Sequence, residues 1–218
     1  MLTPLLTSLV AGYFLGALPF GYLVARAHGV DIFKAGSGNP GATNVKRVLG
    51  AKAGNLVYVL DALKGAVAAG WPLLYYRLSQ QAIISGTTDA AGGILTAAVG
   101  GLVAAVLGHT FSIFTRFKGG KGVATTSGGL LVLMPVPILI GATVWFITFF
   151  ASRYVSLASI LAAMVVPAVA WVFGMPLILK IVVTLLGVFV IVRHHANIRR
   201  LLAGTEHRWV RQPEREAP

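Results

Sequence analysis

Apolar runs of membrane-crossing length recur along nearly the whole chain, at 2–25, 53–76, 90–107, 123–150, 155–173 and 176–192. Runs of about 17–25 residues span the roughly 30 Å hydrocarbon core as helices, which satisfy their own backbone polar groups there. Only 11% of the 218 residues are charged and 56% are apolar, whereas a soluble domain usually carries about 25% charged residues. Too little polar material exists to cover a water-soluble globule, so lipid must cover it. The first run follows Met1 with no basic residue ahead of it and no small-residue cleavage site after it, and is expected to be a retained span.

The fold class expected is therefore all-α, a polytopic membrane helix bundle. The run 123–150 is too long for one span and carries Pro135 and Pro137 near its middle. Breaking it there gives seven crossings, and the distribution of cations supports the break, because basic residues of short loops gather on the cytoplasmic side. With seven crossings, fifteen Lys and Arg fall on the side holding the carboxy terminus and two, Arg77 and Lys180, on the other. Six crossings erase that bias. The expectation is an external amino terminus, a cytoplasmic carboxy terminus, and short fourth and fifth helices of about 12–15 residues each. Residues 1–206 would form one catalytic domain and 207–218 a polar cytoplasmic tail.

A net charge of +12 would suggest nucleic acid in a soluble chain. In a membrane chain it sets orientation and meets anionic headgroups, so no nucleic-acid partner is expected. The absence of cysteine removes disulfides, thiolate zinc sites and cysteine nucleophiles. No HExxH-type spacing is present, and no histidine is followed five positions later by aspartate. Neither a metal site nor the common His/Asp acyltransferase dyad is expected. No internal repeat of the kind that builds inverted-repeat transporters is visible.

Polar groups stand out against this background. Asp61 and Lys64 lie three apart on one face of the second run. They are open to two readings, a mutually neutralised structural pair or the border of a polar cavity, and both turn that face inward. The first cytoplasmic loop holds Gly36, Ser37, Gly38, Asn39, Gly41, Thr43, Asn44, Lys46 and Arg47. Its glycines match a dinucleotide fingerprint in spacing only, since no strand precedes them. Glycine, short polar side chains and cations together suit an anion nest. The second loop runs from Gly108 and His109 through Phe111, Phe114 and Phe117 to Gly119, Gly120, Lys121 and Gly122. It lacks the Walker spacing, yet sets Lys121 at a helix start where free N–H groups favour an anion. The third cluster ends the last run, where a continuing helix would align His194, Asn197 and Arg200 on one stripe, with Glu206 beyond it.

Taken together the three segments resemble the signature motifs of the bacterial acyl-phosphate:glycerol-3-phosphate acyltransferases. They read Gly36-Ser37-Gly38-Asn39-x-Gly41-x-Thr43-Asn44-x-x-Arg47, then Gly108-His109 with Phe117 to Thr125, then His194-x-x-Asn197-Ile198-x-Arg200-Leu201-x-x-Gly204-x-Glu206. Asp61-x-x-Lys64-Gly65 and Ser156-Leu-Ala-Ser159 resemble further family segments. The resemblance implies a seven-helix bacterial inner-membrane enzyme with a cytoplasmic active site. It would move a long-chain acyl group from acyl phosphate to the sn-1 hydroxyl of glycerol 3-phosphate, giving lysophosphatidic acid and phosphate. It also implies no cofactor, and as partners only the two substrates and membrane lipid, with no obligate protein.

On that resemblance Ser37, His194 and Asn197 are the expected catalytic residues. Gly36, Gly38, Asn39, Thr43, Asn44, Arg47, Gly119, Gly120, Lys121, Gly122, Ser159 and Arg200 are the expected binders of phosphate and glycerol. Asp61, Lys64, His109, Ser156 and Glu206 are expected to line the cavity. No free carboxylate base is evident, with Asp61 paired, Asp89 external and Glu206 distal to the stripe. A substrate phosphate oxygen or His194 must then take the hydroxyl proton. Direct transfer is expected, with a Ser37–His194 covalent relay as its alternative. Two rival functions remain at this stage. An anion transporter would want cations on both faces and through the bilayer, and a lipid-binding scaffold would leave the glycine loops without purpose.

Overall fold

The computed structural model describes residues 2–78 and 88–209, and among these every regular element is helical. Ten α-helices follow in order: α1 (Leu2–Ala17), α2 (Phe20–Ala27), α3 (Ala42–Leu49), α4 (Ala51–Leu78), α5 (Thr88–Thr110), α6 (Val123–Leu133), α7 (Pro135–Ser152), α8 (Val155–Val172), α9 (Leu177–Arg193) and α10 (His195–Leu202). Among the described residues, five segments are long and apolar enough to cross a bilayer, or six if the bent pair α9–α10 counts as one span, and α6 is a shorter apolar helix. The chain is thus an integral membrane helix bundle. The expected tail beyond residue 209, and Asp89 as an external acid, lie outside the described side chains.

The first run is interrupted at Pro19, which lacks the N–H that would continue the ladder, yet α1 and α2 together still make one candidate span, Leu2–Ala27, as expected. The sequence expectations need two corrections. The break in the 123–150 run falls at Met134, but it is unequal. The first piece is 11 residues and the second is a full 18, so only one of the two expected short helices is short. The third cluster does not continue one helix, because α9 and α10 meet at His194 with a 56° bend.

Helix packing follows the glycines. Lipid tails are as apolar as leucine, so helices associate through close backbone approach at small residues. A methyl group at Gly12 would meet the Gly101 backbone, at Gly16 the Ala105 backbone, and at Gly108 the Tyr13 carbonyl, which locks α1 against α5. On the other side, Gly65 of α4 lies against Thr125 and Gly128 of α6 against Ala62. Leu63, Val67, Leu139, Ile147 and Phe150 point outward, about half exposed or more, where acyl chains cover them. A buried core joins Val99, Leu102 and Val106 of α5 to Leu130, Val166, Val183 and Leu186. With α6 only 11 residues long and the chain bent at His194, the three polar segments approach one another at one end of this bundle.

Candidate active site

The first loop is built by one buried amide. Asn44, in the first turn of α3 and 3% exposed, accepts the Ser37 N–H at 2.8 Å and donates to the Ala35 carbonyl at 3.0 Å. Gly36 and Gly38 take φ of 58° and 69°, which only glycine adopts without strain, so the chain folds back over that amide. Asn39 accepts the Gly41 N–H at 2.9 Å. The amide of Asn44 and the carbonyl of Asn39 thus hold the loop in shape. Ser37 and Thr43 are exposed.

The second loop is pinned from below. Gly120 donates its N–H to the His109 carbonyl at 3.2 Å, and a Cβ at Gly119 would collide with that same carbonyl. Gly122, at φ 83°, caps α6. Lys121 between them reaches across to the third cluster, its Nζ 2.5 Å from Asn197 Oδ1. The three phenylalanines of this loop are exposed beside a 3-10 turn, Ile113–Thr115.

At the third cluster the bend brings in a residue that the helical stripe excluded. Glu206 is its centre. The carboxylate accepts from Ser156 Oγ at 2.9 Å and Asn197 Nδ2 at 2.7 Å through one oxygen, and from Arg200 Nε at 2.7 Å through the other. Its side chain is 6% exposed. Sequence placed Glu206 distal to the polar stripe; the turn after α10 folds it back onto the stripe instead. Burial raises its carboxyl, but the hydrogen bonds from Asn197, Arg200 and Ser156 outweigh that and hold it below the usual range.

Three cations act on this carboxylate, Lys121, Arg47 and Arg200. Burial chiefly lowers the Lys121 ammonium to about 8, with Glu206 opposing and Arg200, Arg193 and Arg47 adding to the drop. Arg47, from the first loop, feels both Glu206 and Arg200. Residues from α3, the second loop, α8 and α10 are therefore within electrostatic reach of one point. Arg193 was not singled out from sequence. It donates to the Gly120 carbonyl at 3.4 Å and its guanidinium lies 5.7 Å over Phe111. Its place directly before His194 was the available signal.

His194 is 3% exposed, and its Nδ1 lies 2.7 Å from the Val190 carbonyl. A carbonyl only accepts, so Nδ1 carries the proton and Nε2 presents a lone pair. Burial, then the nearby Lys121 charge, lower its pKa to about 4, so the ring is neutral at physiological pH. Among the described residues no contact joins Ser37 to His194. Ser159 lies one helical turn beyond Ser156. Its hydroxyl donates to the Val155 carbonyl at 2.9 Å and takes the Trp145 indole N–H at 3.1 Å. Asp61, Lys64 and His109 form a separate buried group behind the second loop, with Asp61 2.8 Å from Lys64 and 3.5 Å from His109 Nδ1. Among the described residues no group of three or more His, Cys, Asp or Glu could hold a metal ion.

Cations from several segments around one buried carboxylate, beside two glycine loops, can grip phosphate and a hydroxyl-bearing partner together. Comparison with known proteins agrees with that chemistry. Residues 6–204 match the family described as glycerol-3-phosphate acyltransferase. The chain is 40% identical over 206 residues to the glycerol-3-phosphate acyltransferase of Allorhizobium ampelinum, covering 94% of this chain and 92% of that one. To the Bacillus subtilis protein of the same name it is 41% identical over 199 residues, covering 91% and 94%. Among solved structures it is similar to PlsY, an integral membrane glycerol 3-phosphate acyltransferase, in its glycerol 3-phosphate form. The TM-score is 0.80 at 40% identity, covering 94% of this chain and 95% of that one. The lysophosphatidic acid form of PlsY gives a TM-score of 0.78 at the same identity.

Proposed function

Since the chain belongs to the glycerol-3-phosphate acyltransferase family, we propose that it acylates the sn-1 hydroxyl of glycerol 3-phosphate with acyl phosphate as donor. The products are lysophosphatidic acid and inorganic phosphate. The glycerol 3-phosphate and lysophosphatidic acid forms of PlsY support the acceptor and the product. The donor rests on the three motifs. The observation that carries the reading is the meeting of Arg47, Lys121, Asn197, Arg200 and Glu206, from distant parts of the chain, around one point.

The seven-crossing topology in the bacterial inner membrane belongs to this proposal, with residues 1–206 as one catalytic unit and the site at the cytoplasmic face. It is supported by the concentration of basic residues on one side of the expected spans. Arg47, Lys121 and Arg200 serve the phosphates, and Ser37 with the loop N–H groups completes the nest. His194 and Asn197 face the glycerol hydroxyls, and Ser159 borders the acyl side. The hydroxyl oxygen attacks the carbonyl carbon of the mixed anhydride, the bond from that carbon to the phosphate oxygen breaks, and the departing phosphate keeps the electron pair. Positioning supplies much of the barrier reduction, on the scale of roughly 7–11 kcal/mol seen in well-oriented intramolecular reactions.

The proton goes to a phosphate oxygen. General bases work best with a pKa near the operating pH; a phosphate monoester, at about 6, is better matched than His194 at about 4. His194 Nε2, which only accepts, orients the acceptor substrate through its neighbouring sn-2 hydroxyl and leaves the sn-1 proton to the phosphate. Purified enzyme in detergent, given palmitoyl phosphate and glycerol 3-phosphate without CoA or carrier protein, should release phosphate and form lysophosphatidic acid in equal amounts. Failure with acyl phosphate but turnover with another acyl donor would overturn the donor assignment. Stable label on Ser37 after quenching with labelled donor would replace direct transfer by an acyl-enzyme.

A further inference from the structure

We infer that Asp61 and His109 are positioning residues for Lys121, with the carboxylate holding the imidazole and the imidazole seating the backbone that carries the lysine. The inference rests on the assignment of Lys121 to phosphate binding. Four observations converge on it. Asp61 and Lys64 are 2% and 3% exposed, and a buried ion pair is weak support for stability, so its place here asks for a reason. The pair is not closed on itself, because Asp61 also faces His109 Nδ1 at 3.5 Å and Lys64 donates to the Leu18 carbonyl at 3.1 Å. That carbonyl stands at the break between α1 and α2, so the group ties α4 to α5 and to the segment leading into the first loop.

The second loop then rests on His109 itself. Gly120 gives its N–H to the His109 carbonyl at 3.2 Å, and a methyl at Gly120 would run into the imidazole Nε2, with Cε1 at 2.8 Å. Glycine is required there because the ring fills the space. Arg193 holds the opposite side through the Gly120 carbonyl at 3.4 Å. Gly120 is therefore fixed from both sides, and the next residue is Lys121, whose Nζ meets Asn197. A shift of the ring displaces the ammonium by a comparable amount, and misplacement of about 1 Å at a binding group can cost around a hundredfold in rate.

The test compares His109→Ala, Asp61→Asn/Lys64→Met, Gly120→Ala, His109→Ala/Gly120→Ala and Lys121→Met in detergent. The readouts are Tm, kcat, KM for glycerol 3-phosphate, and the rate at which a water-soluble amine reagent modifies Lys121. The Asp61/Lys64 double variant removes both charges together, so no buried charge is left unpaired and the fold is retained. His109→Ala should raise KM about tenfold with kcat within about threefold and speed modification of Lys121, and the double-charge variant should shift both the same way. Gly120→Ala should raise KM in the parent and not further in His109→Ala, because the methyl then has the vacated space. A lowered Tm with unchanged KM and unchanged Lys121 modification, in both His109→Ala and the double-charge variant, would reduce the group to packing and overturn the inference. Unchanged KM in Lys121→Met would instead remove the phosphate assignment, and the modification rates would still decide the positioning.

Discussion

Raising the pH from 7 to 9 should weaken binding of glycerol 3-phosphate about tenfold through Lys121. Burial lowers this ammonium to about 8, so in the free enzyme it is about nine-tenths charged at pH 7 and about one-tenth charged at pH 9. The ligand is close to a full dianion throughout this interval, since its second phosphate pKa is near 6. A bound dianion favours the charged lysine, so binding at high pH first requires a proton, and the apparent affinity falls by the ratio of those charged fractions. The stability of the ligand-free protein should move the opposite way. A lysine depressed by folding binds fewer protons folded than unfolded between about 8 and 10.5, so its contribution there becomes less unfavourable as pH rises. Isothermal titration in two buffers of different ionisation enthalpy should show about half a proton taken up per ligand at pH 8, and Lys121→Arg should flatten the pH dependence because guanidinium stays charged. Unchanged affinity to pH 9 in the wild type, or no proton uptake, would refute the argument that Lys121 is both depressed and engaged with phosphate.

Three other perturbations have defined outcomes. Glu206→Gln turns an amide toward Arg200 in place of a carboxylate oxygen, a loss of about 2 kcal/mol for one charge-assisted contact; Tm in detergent should fall by about 4–8 °C, and an unchanged Tm would mean the carboxylate is not organising the cluster. Gly65→Ala drives a methyl into the Thr125 backbone of α6, and should destabilise by about 1–3 kcal/mol, with wild-type stability contradicting the close α4–α6 crossing. In protein labelled with 15N-histidine, His194 should keep the neutral Nδ1–H pattern down to pH 5, because its pKa is pushed down to about 4; a titration near 6.5 would refute the buried, carbonyl-bonded ring.

The bundle was legible because membrane helices announce themselves by length and apolarity, and the break, which falls at Met134, was legible in Pro135 and Pro137 and in the one-sided distribution of cations over all the loops. Its uneven outcome, 11 residues and then 18, depends on where α6 packs against α4, which no local pattern encodes. The site was legible as three cationic glycine segments but not as a circuit. Asn44 looked like one more loop amide until its buried contacts made it the loop's internal brace. Glu206 was misplaced because the stripe assumed a straight helix through His194, whereas the bend and the turn at Gly204, φ 67°, return the chain on itself. The pairing of His109 with Asp61, 48 positions away in the sequence, has no signature at all in spacing.

The position of Glu206 also orders how the protein matures. The ribosome makes Arg47 and Lys121 well before Glu206, the acid that acts on both. Until that residue is in place the two cations lack this counter-ion, and anionic headgroups are the available substitute. The centre is complete only once residue 206 has been made and the turn at Gly204 has folded it back.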